Sequence, residues 1–517
     1  MLLSLFSYTK MNKTVVLKAE GITKRFPETI ANDNINLELH KGEIHALLGE
    51  NGAGKTTFMN MLYGIYMPSE GSIYINGEKV DIKTPFDAIN YGIGMVHQHF
   101  MLVESLTVLE NIILGLKNQG VIINKTKIKK EIKEISERYS LKVNPEQKIW
   151  QLSVGEQQKV EIIKVLFRGA NILILDEPTA VLRPQETEPL FEIMRKMKQD
   201  NKSMFFITHK LDEVMAVSDT ISVLRKGKVV RTILKKDTTK EKLAEMMVGR
   251  AVLFDFKKEK KETKEKLLDV SNIEVYSDIG LKIIDNASMD VMKGEILGIA
   301  GVSGNGQKEL VQTIAGLRKT PKGKIVFDNI DITNKSPRFI AESGINYIPA
   351  DRIGMGLASD LSCIDNAIMR NYYKKPILSK CIINYKKAKS YTDKIVKMFN
   401  IAVADISSPI KLLSGGNMQK LLFARELLEK PKLLIASYPT RGLDLASTEF
   451  VRLKMLKIRE ENMSVILISE DLDELLSISD RIAIIYKGQI MGIVDSDTVN
   501  KNQIGLMMAG KRFKDIQ

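Results

Sequence analysis

Eight residues, 49-GENGAGKT-56, fit the spacing G-x-x-x-x-G-K-[ST] and stand between a strand-like run, HALLG, and a helix-like run, KTTFMNMLYGI. Gly49, Asn51, Gly52 and Gly54 form a turn whose successive backbone N–H groups can curl around phosphate oxygens, and a helix N-terminus beyond it adds favourable potential. In that setting Lys55 would reach the β- and γ-phosphates and the Thr56 hydroxyl would ligate Mg²⁺, with Thr57 next to it in the same helical turn. A glycine turn that binds nothing is the plain alternative, and the strand–loop–helix context argues against it. Further along, ILILDE is an apolar run ending in two acids. Asp176 is placed to hold the metal through its water shell, and Glu177 to polarise an attacking water. Loop and acids together imply hydrolysis of a nucleoside triphosphate.

A second loop, 301-GVSGNGQKE-309, keeps the glycines and loses the chemistry, with Gln307 where the lysine belongs and Lys308 where the hydroxyl belongs. It belongs to a second copy of the same domain. The stretch 41-KGEIHALLGENGAGKTT-57 is answered by 293-KGEILGIAGVSGNGQKE-309, an offset of 252 positions. The pairs 152-LSVGEQQK-159 with 413-LSGGNMQK-420, and 243-LAEMMVGR-250 with 504-IGLMMAGK-511, stand 261 apart, so the second copy carries nine extra residues between loop and signature. A charge run, 257-KKEKKETKEK-266, reads as a solvated linker. The expected organisation is an N-terminal extension (1–14), a first domain (15–250), a charged linker (251–266), a second domain (267–511) and a short tail (512–517).

The elements that must position these residues alternate between strand and helix patterns, which implies α/β cores with parallel strands. Each half also carries a helical insert. One has Ile128, Ile132, Ile135 and Tyr139 at helical spacing, the other Ala388, Tyr391, Ile395 and Met398. Such a stripe is more often core than docking face.

At 517 residues and 44% apolar composition the chain can bury more than one core. No run of about 18 apolar residues occurs, so no membrane-spanning helix is expected. The start, MLLSLFSYTK, is too short for a signal peptide, and Met11 is a second candidate start. Two cysteines, Cys363 and Cys381, supply neither a metal cage nor a disulfide framework and suit a reducing cytosol. The net charge of +14 fits solvated lysine-rich surfaces or an anionic membrane surface, and nucleic acid is the least favoured partner.

LSVGEQQK and LSGGNMQK resemble the signature sequences of ABC-type ATPases, and the resemblance covers nearly the whole chain twice. It implies two tandem P-loop domains, each with a RecA-like α/β core, an antiparallel β subdomain and a helical subdomain, and an ATPase that uses ATP and Mg²⁺. By that likeness Gln98 in MVHQHF links metal to membrane partner, His209 in FITHK is the switch histidine, and Phe26 stacks on adenine. His97 and His99 are read as packing or surface residues. The tandem form with an altered second copy, together with 95-MVHQHFMLVESLTVLENIILG-115, 348-IPADR-352 and 438-YPTRGLD-444, is similar to fused ATPase subunits of bacterial importers for simple sugars and nucleosides, nearest the nucleoside branch. Ala350 departs from that group, which commonly has an acid there.

The resemblance also implies head-to-tail pairing of domains. The first site would then combine Lys55, Thr56, Gln98, Asp176, Glu177 and His209 with Ser414, Gly415 and Gly416. The second would have Gln307, Lys308, Ala350, Ser437, Tyr438 and Glu470 facing a signature in which Val154 replaces a glycine, and Asp278 where Phe26 stands in the first copy. All losses fall on one site. Two membrane permease subunits and an extracytoplasmic substrate-binding protein are the implied partners, with this chain peripheral on the cytoplasmic face of the membrane. The alternative is a soluble tandem ABC ATPase acting on ribosomes or nucleic acid. Its known forms resemble proteins with two intact sites, a longer linker or zinc-binding cysteine pairs.

Overall fold

The computed structural model describes residues 14–27, 29–98, 100–116, 124–180, 182, 184–253, 265–379 and 381–515. Most of the expected N-terminal extension, most of the charged linker, the last two residues of the tail and His99 lie outside the described residues. The chain divides into two units, Met1–Val252 and Leu253–Gln517.

In the first unit, Ile44–Leu48 is buried along its whole length, as a strand covered on both faces must be. It pairs in parallel with Ser203–Thr208 and with Thr220–Arg225. Ile172–Asp176 and Ile93–Val96 extend the parallel run on one side. Lys228–Leu234 closes the other edge as an antiparallel partner of Thr220–Arg225. His45 sits inside this sheet because both ring nitrogens are satisfied, one by Ser222 Oγ at 2.8 Å and the other by the Glu38 carbonyl at 3.0 Å. Burial pushes its pKa down, so it stays neutral.

A four-stranded antiparallel sheet (Val15–Phe26, Thr29–His40, Glu70–Ile75 and Glu78–Val80) contributes Leu17, Ile22, Ile35 and Leu37 to a shared core. Phe58 and Leu62, from the Lys55–Leu62 helix, meet them there. That helix stops earlier than its apolar pattern suggests, because Gly64 turns the chain at φ +78 and Ile65 is exposed. The helical insert forms over Lys125–Tyr139 with Ile128, Ile132 and Tyr139 buried.

The second unit repeats both sheets with the same strand order. Its insert helix, Tyr385–Met398, buries Ala388 and Ile395, and Tyr391 packs partly against the core. Met398 departs from the expected stripe: it is the last residue of the helix and is exposed.

The two glycine loops leave their central strands under the same constraint. A Cβ on Gly49 would lie 2.4 Å from the Leu224 carbonyl oxygen, and one on Gly301 would lie 2.9 Å from that of Ile485. Backbone oxygens on a neighbouring strand cannot yield. Glycine is therefore required at the strand-to-loop step whether or not phosphate ever binds. Gly301→Ala should destabilise the protein by about 1–3 kcal/mol, read as a lower denaturation midpoint. Gly505→Ala, in a helix where nothing lies within 4 Å of the new methyl, should be neutral or slightly stabilising. Equal effects from the two substitutions would contradict this account of the loop.

Candidate nucleotide site

In the first unit, Gly54 ends the loop at φ +100, a conformation that glycine tolerates and that turns the chain into the Lys55–Leu62 helix. Its carbonyl accepts a hydrogen bond from Asn32 Nδ2 at 3.0 Å, which ties the loop to the antiparallel sheet. Lys55 is buried and donates to the carbonyls of Gly49 at 2.7 Å and Glu50 at 2.9 Å. Burial lowers its pKa, while Glu177, Asp176 and Glu50 pull it back up. Asn51 and Gly52 lie exposed at the tip of the loop, and Thr56 and Thr57 follow in the first helical turn.

The two acids separate in environment because the strand ends between them. Asp176 is the last residue of its strand and is buried. Thr56 Oγ1 approaches its carboxylate at 3.4 Å. Burial, reinforced by the neighbouring Glu177 charge, pushes the Asp176 pKa up to about 6. Glu177 turns out of the strand at φ 44, in the left-handed region, held by its N–H on the Ile207 carbonyl at 3.0 Å. Both of its carboxylate oxygens are engaged, one by Gln98 Nε2 at 3.0 Å and the other by His209 Nδ1 at 2.9 Å. The His209 contact is the main reason its pKa is lowered. Behind them Glu213 accepts from Thr179 at 2.6 Å and from Thr208 at 2.8 Å, fastening the chain on either side of the site. His97 packs its ring edge-on to Tyr63 at 5.7 Å, as a packing residue would.

Phe26 is partly exposed at the end of its strand and meets Tyr66 edge-to-face at 5.7 Å, with Lys24 beside both rings. Sequence reasoning missed Tyr66. Along the first strand the two copies stand 251 apart, since Leu17 opposite Leu39 is repeated by Leu268 opposite Val291. Phe26 therefore corresponds to Ser277, and not to the Asp278 that the offset of 252 implied. Tyr66 corresponds to Arg318, which pairs with Asp278 at 3.1 Å.

The second unit keeps the scaffold of this site and replaces its working groups. Gln307 is buried and donates to the Val302 carbonyl at 3.1 Å, the counterpart of the Lys55 bond to Glu50. A neutral amide thus satisfies the loop from within. Tyr438 adopts φ 47 and donates its N–H to the Ile468 carbonyl at 2.8 Å, as Glu177 does to Ile207. Burial pushes its phenol up to about 12, so it offers no base near neutrality. Glu474 accepts from Thr440 at 3.0 Å and from Ser469 at 2.7 Å, repeating the Glu213 network.

The signature turns differ too. Ser153 caps the Val154–Phe167 helix, and its hydroxyl donates to Glu156 at 2.8 Å; the Val154 side chain is exposed. Ser414 caps the Gly415–Leu427 helix and accepts from Asn417 Nδ2 at 2.9 Å. A Cβ on Gly416 would lie 2.3 Å from Ser447 Oγ.

A family described as ABC transporter matches residues 32–180 and again 284–441. The chain belongs to the ABC transporter family. It is a tandem ATP-binding subunit of that family, and its reaction is ATP hydrolysis. Among ABC proteins it is 46% identical, over 98% of its length and 100% of the relative, to the nucleoside import ATP-binding protein NupA of Lactococcus lactis. It is 45% identical, over 97% of its length and 98% of the relative, to the guanosine import ATP-binding protein NupO of Bacillus subtilis. The crystal structure of archaeal ribosome recycling factor aABCE1, solved with ribosomal stalk protein aP1, matches 92% of this chain and 90% of that one at a TM-score of 0.60 and 19% identity. That last likeness concerns the fold alone.

The ABC site also fits a hard divalent cation. Its candidate ligands, Thr56, Asp176 and Gln98, offer oxygen only, and Asp176 carries a buried charge that a cation would offset. Among the described residues no group of three or more His, Cys, Asp or Glu is placed to cage a metal. Such a site suits Mg²⁺ shared with phosphates.

Because the folded-state pKa of Asp176 lies above its ordinary value, the folded protein holds that proton more tightly than the unfolded chain does. Stability therefore falls as pH rises from about 4 towards 6, and the full cost is present above that window. Asp176→Asn should stabilise the nucleotide-free protein by about 1–3 kcal/mol above the window, with the gain vanishing near pH ~4. Denaturation at the two pH values checks it. A gain independent of pH would contradict the cause assigned to the shift.

Proposed function

We propose that this ABC ATPase drives nucleoside import through separate membrane permease subunits, powered by ATP hydrolysed at the first unit. The observation that carries the reading is full-length identity of 46% and 45% to proteins named for nucleoside and guanosine import. No helix among the described residues is long and apolar enough to cross a membrane, and in this reading the transport path belongs to other chains. Two permease subunits and an extracytoplasmic substrate-binding protein complete the proposed assembly, with this chain peripheral on the cytoplasmic face. Action on ribosomes is supported by fold likeness at 19% identity only.

In this reading Lys55 and the backbone N–H groups from Gly49 to Thr57 hold the phosphates. Phe26, with Tyr66 beside it, stacks on adenine. Thr56, Asp176 and Gln98 hold Mg²⁺, which when bound neutralises charge building up on the phosphate oxygens. Glu177 orients and polarises the attacking water, and His209 holds the Glu177 carboxylate ionised and fixed. Gln98 and His209 each take one Glu177 oxygen, and each oxygen keeps a further lone pair with which to accept from the attacking water. Ser414, Gly415 and Gly416 complete the first site by the family's head-to-tail arrangement. Ser414 suits that role because its signature carries two glycines and no carboxylate; in the first unit the Ser153 hydroxyl is engaged in donating to Glu156, which adds a negative charge.

Glu177→Gln should nearly abolish turnover and leave ATP binding intact, while Tyr438→Phe should keep most of the activity. Retention of more than half the turnover by the Glu177 variant would contradict the assignment. Ser414→Arg should block hydrolysis and Ser153→Arg should be milder, and equal loss from both would count against the assigned signatures. The isolated chain should bind ATP but give no heat with guanosine, adenosine, ribose or galactose in calorimetry. Uptake of labelled nucleoside should depend on permease subunits and an external binding protein, and tight nucleoside binding by this chain alone would overturn the importer reading.

A further inference from the structure

The duplication supplies an internal control that isolates one residue. Strands Ile93–Val96 and Ile345–Ile348 correspond at the offset of 252, so Gln98 maps to Ala350 and Phe100 to Arg352. The next helices begin after the caps Thr107 and Ser362, which stand 255 apart. Three of the nine extra residues of the second copy therefore enter this short connection. There they allow a wide helical turn, Arg352–Gly356, capped by Asp351, whose Oδ1 accepts from Gly354 N at 2.7 Å. The first unit has no such turn at that connection among its described residues.

The turn delivers the Arg352 guanidinium, half-buried, to three acceptors on two other segments. Nε donates to Gln419 Oε1 at 2.6 Å, Nη2 to the Arg441 carbonyl at 3.1 Å, and Nη1 to the Gly415 carbonyl at 3.4 Å. Gln419 and Gly415 belong to the signature helix Gly415–Leu427, and Arg441 opens the 441-RGLD-444 segment, where Asp444 caps the next helix. The far end of the turn is also tied to the signature helix, through Arg425 Nη2 on the Gly356 carbonyl at 2.8 Å. In the first unit the counterpart of Gln419, Gln158, instead donates directly to the Pro178 carbonyl at 2.6 Å. The copy that lost its metal-facing glutamine has thus gained an arginine bound to its signature helix. A planar fork with fixed donor directions suits three acceptors at once, and a lysine ammonium on a flexible stem does not.

We propose that Arg352 is a positioning residue for ATP hydrolysis, a strut that sets the Ser414–Gly416 turn and the 441–444 segment relative to each other. The proposal rests on the reading that Ser414, Gly415 and Gly416 serve the ATP bound by the first unit. The groups that Arg352 bonds, Gln419 and the Gly415 and Arg441 carbonyls, all belong to the second unit, whereas the Lys55 loop belongs to the first. Its loss is therefore expected in kcat, with ATP still held by the untouched Lys55 loop.

The test uses the full chain carrying Arg352→Gln, Arg352→Lys, Gln419→Ala and the double variant Arg352→Gln/Gln419→Ala. The control is Arg338→Ala, an exposed arginine of the same unit paired with Glu342. ATP bound per chain and KM should stay at the wild-type level, while kcat per bound ATP falls by at least about threefold in Arg352→Gln. Arg352→Lys should not restore it. The double variant should be no worse than Arg352→Gln, since the two residues act through one contact. A smaller fall in kcat, full rescue by lysine, or additive losses would overturn the strut. Loss of bound ATP in proportion to activity would reduce Arg352 to a folding role and overturn it as well. If Ser414→Arg itself left turnover intact, the underlying reading of the signature would fail instead, which keeps the two failures distinguishable.

Discussion

The nucleotide end of each unit is built around a backbone that passes too close to its neighbour for any side chain to intervene. Gly49 lies against the Leu224 carbonyl and Gly301 against that of Ile485, with 2.4 and 2.9 Å left for a Cβ. This steric constraint belongs to the sheet and the loop, and phosphate has no part in it. It explains why the second copy keeps Gly301 without the lysine, the hydroxyl or the acids, while Gly304 and Gly306 sit at φ 90 and 104, where glycine is favoured. Backbone contact and backbone conformation hold these glycines, and Gln307 satisfies with an amide the loop carbonyl that corresponds to one Lys55 bonds.

The same division runs through the acids. The left-handed turn after the strand, at Glu177 and Tyr438, is fastened in both units by a buried glutamate that accepts from two hydroxyls, Glu213 in one and Glu474 in the other. What differs is the side chain displayed on that turn. A carboxylate held between Gln98 and His209 can work on water, whereas a buried phenol with its pKa near 12 cannot. The fold of the turn is thus common to both units, and the side chain it displays is not.

Much of the candidate site was legible in the sequence because its parts are short contiguous motifs joined by a strand-to-helix order. The loop, Asp176, Glu177, Gln98 and His209 all fall where strands of one parallel sheet end; the loop and the acids follow from that strand order, whereas Gln98 and His209 were legible only through the family resemblance. Residues that meet only through tertiary packing were not legible. Asn32 reaches Gly54 from another sheet, Glu213 reaches back to Thr179 across 34 positions, and Arg352 needs an inserted turn to find Gln419. Tyr66 is another such case: nothing in its neighbourhood marks it, and it meets Phe26 only through packing. The end of the Lys55 helix and the exposure of Met398 were misjudged because an apolar period says nothing about where glycine or the last helical turn stops it.

The central claim is that one of the two nucleotide sites in this ABC ATPase turns over and that it is the one built on Lys55. It is tested most directly by turning the protein over with an azido-adenine analogue of ATP, trapping the product with vanadate, and mapping the photolabel. The account predicts label on peptides carrying Phe26 or Tyr66, where adenine has an aromatic platform, and none on peptides carrying Asp278 or Arg318. Equal labelling of both sets after turnover, or label confined to the second, would contradict it.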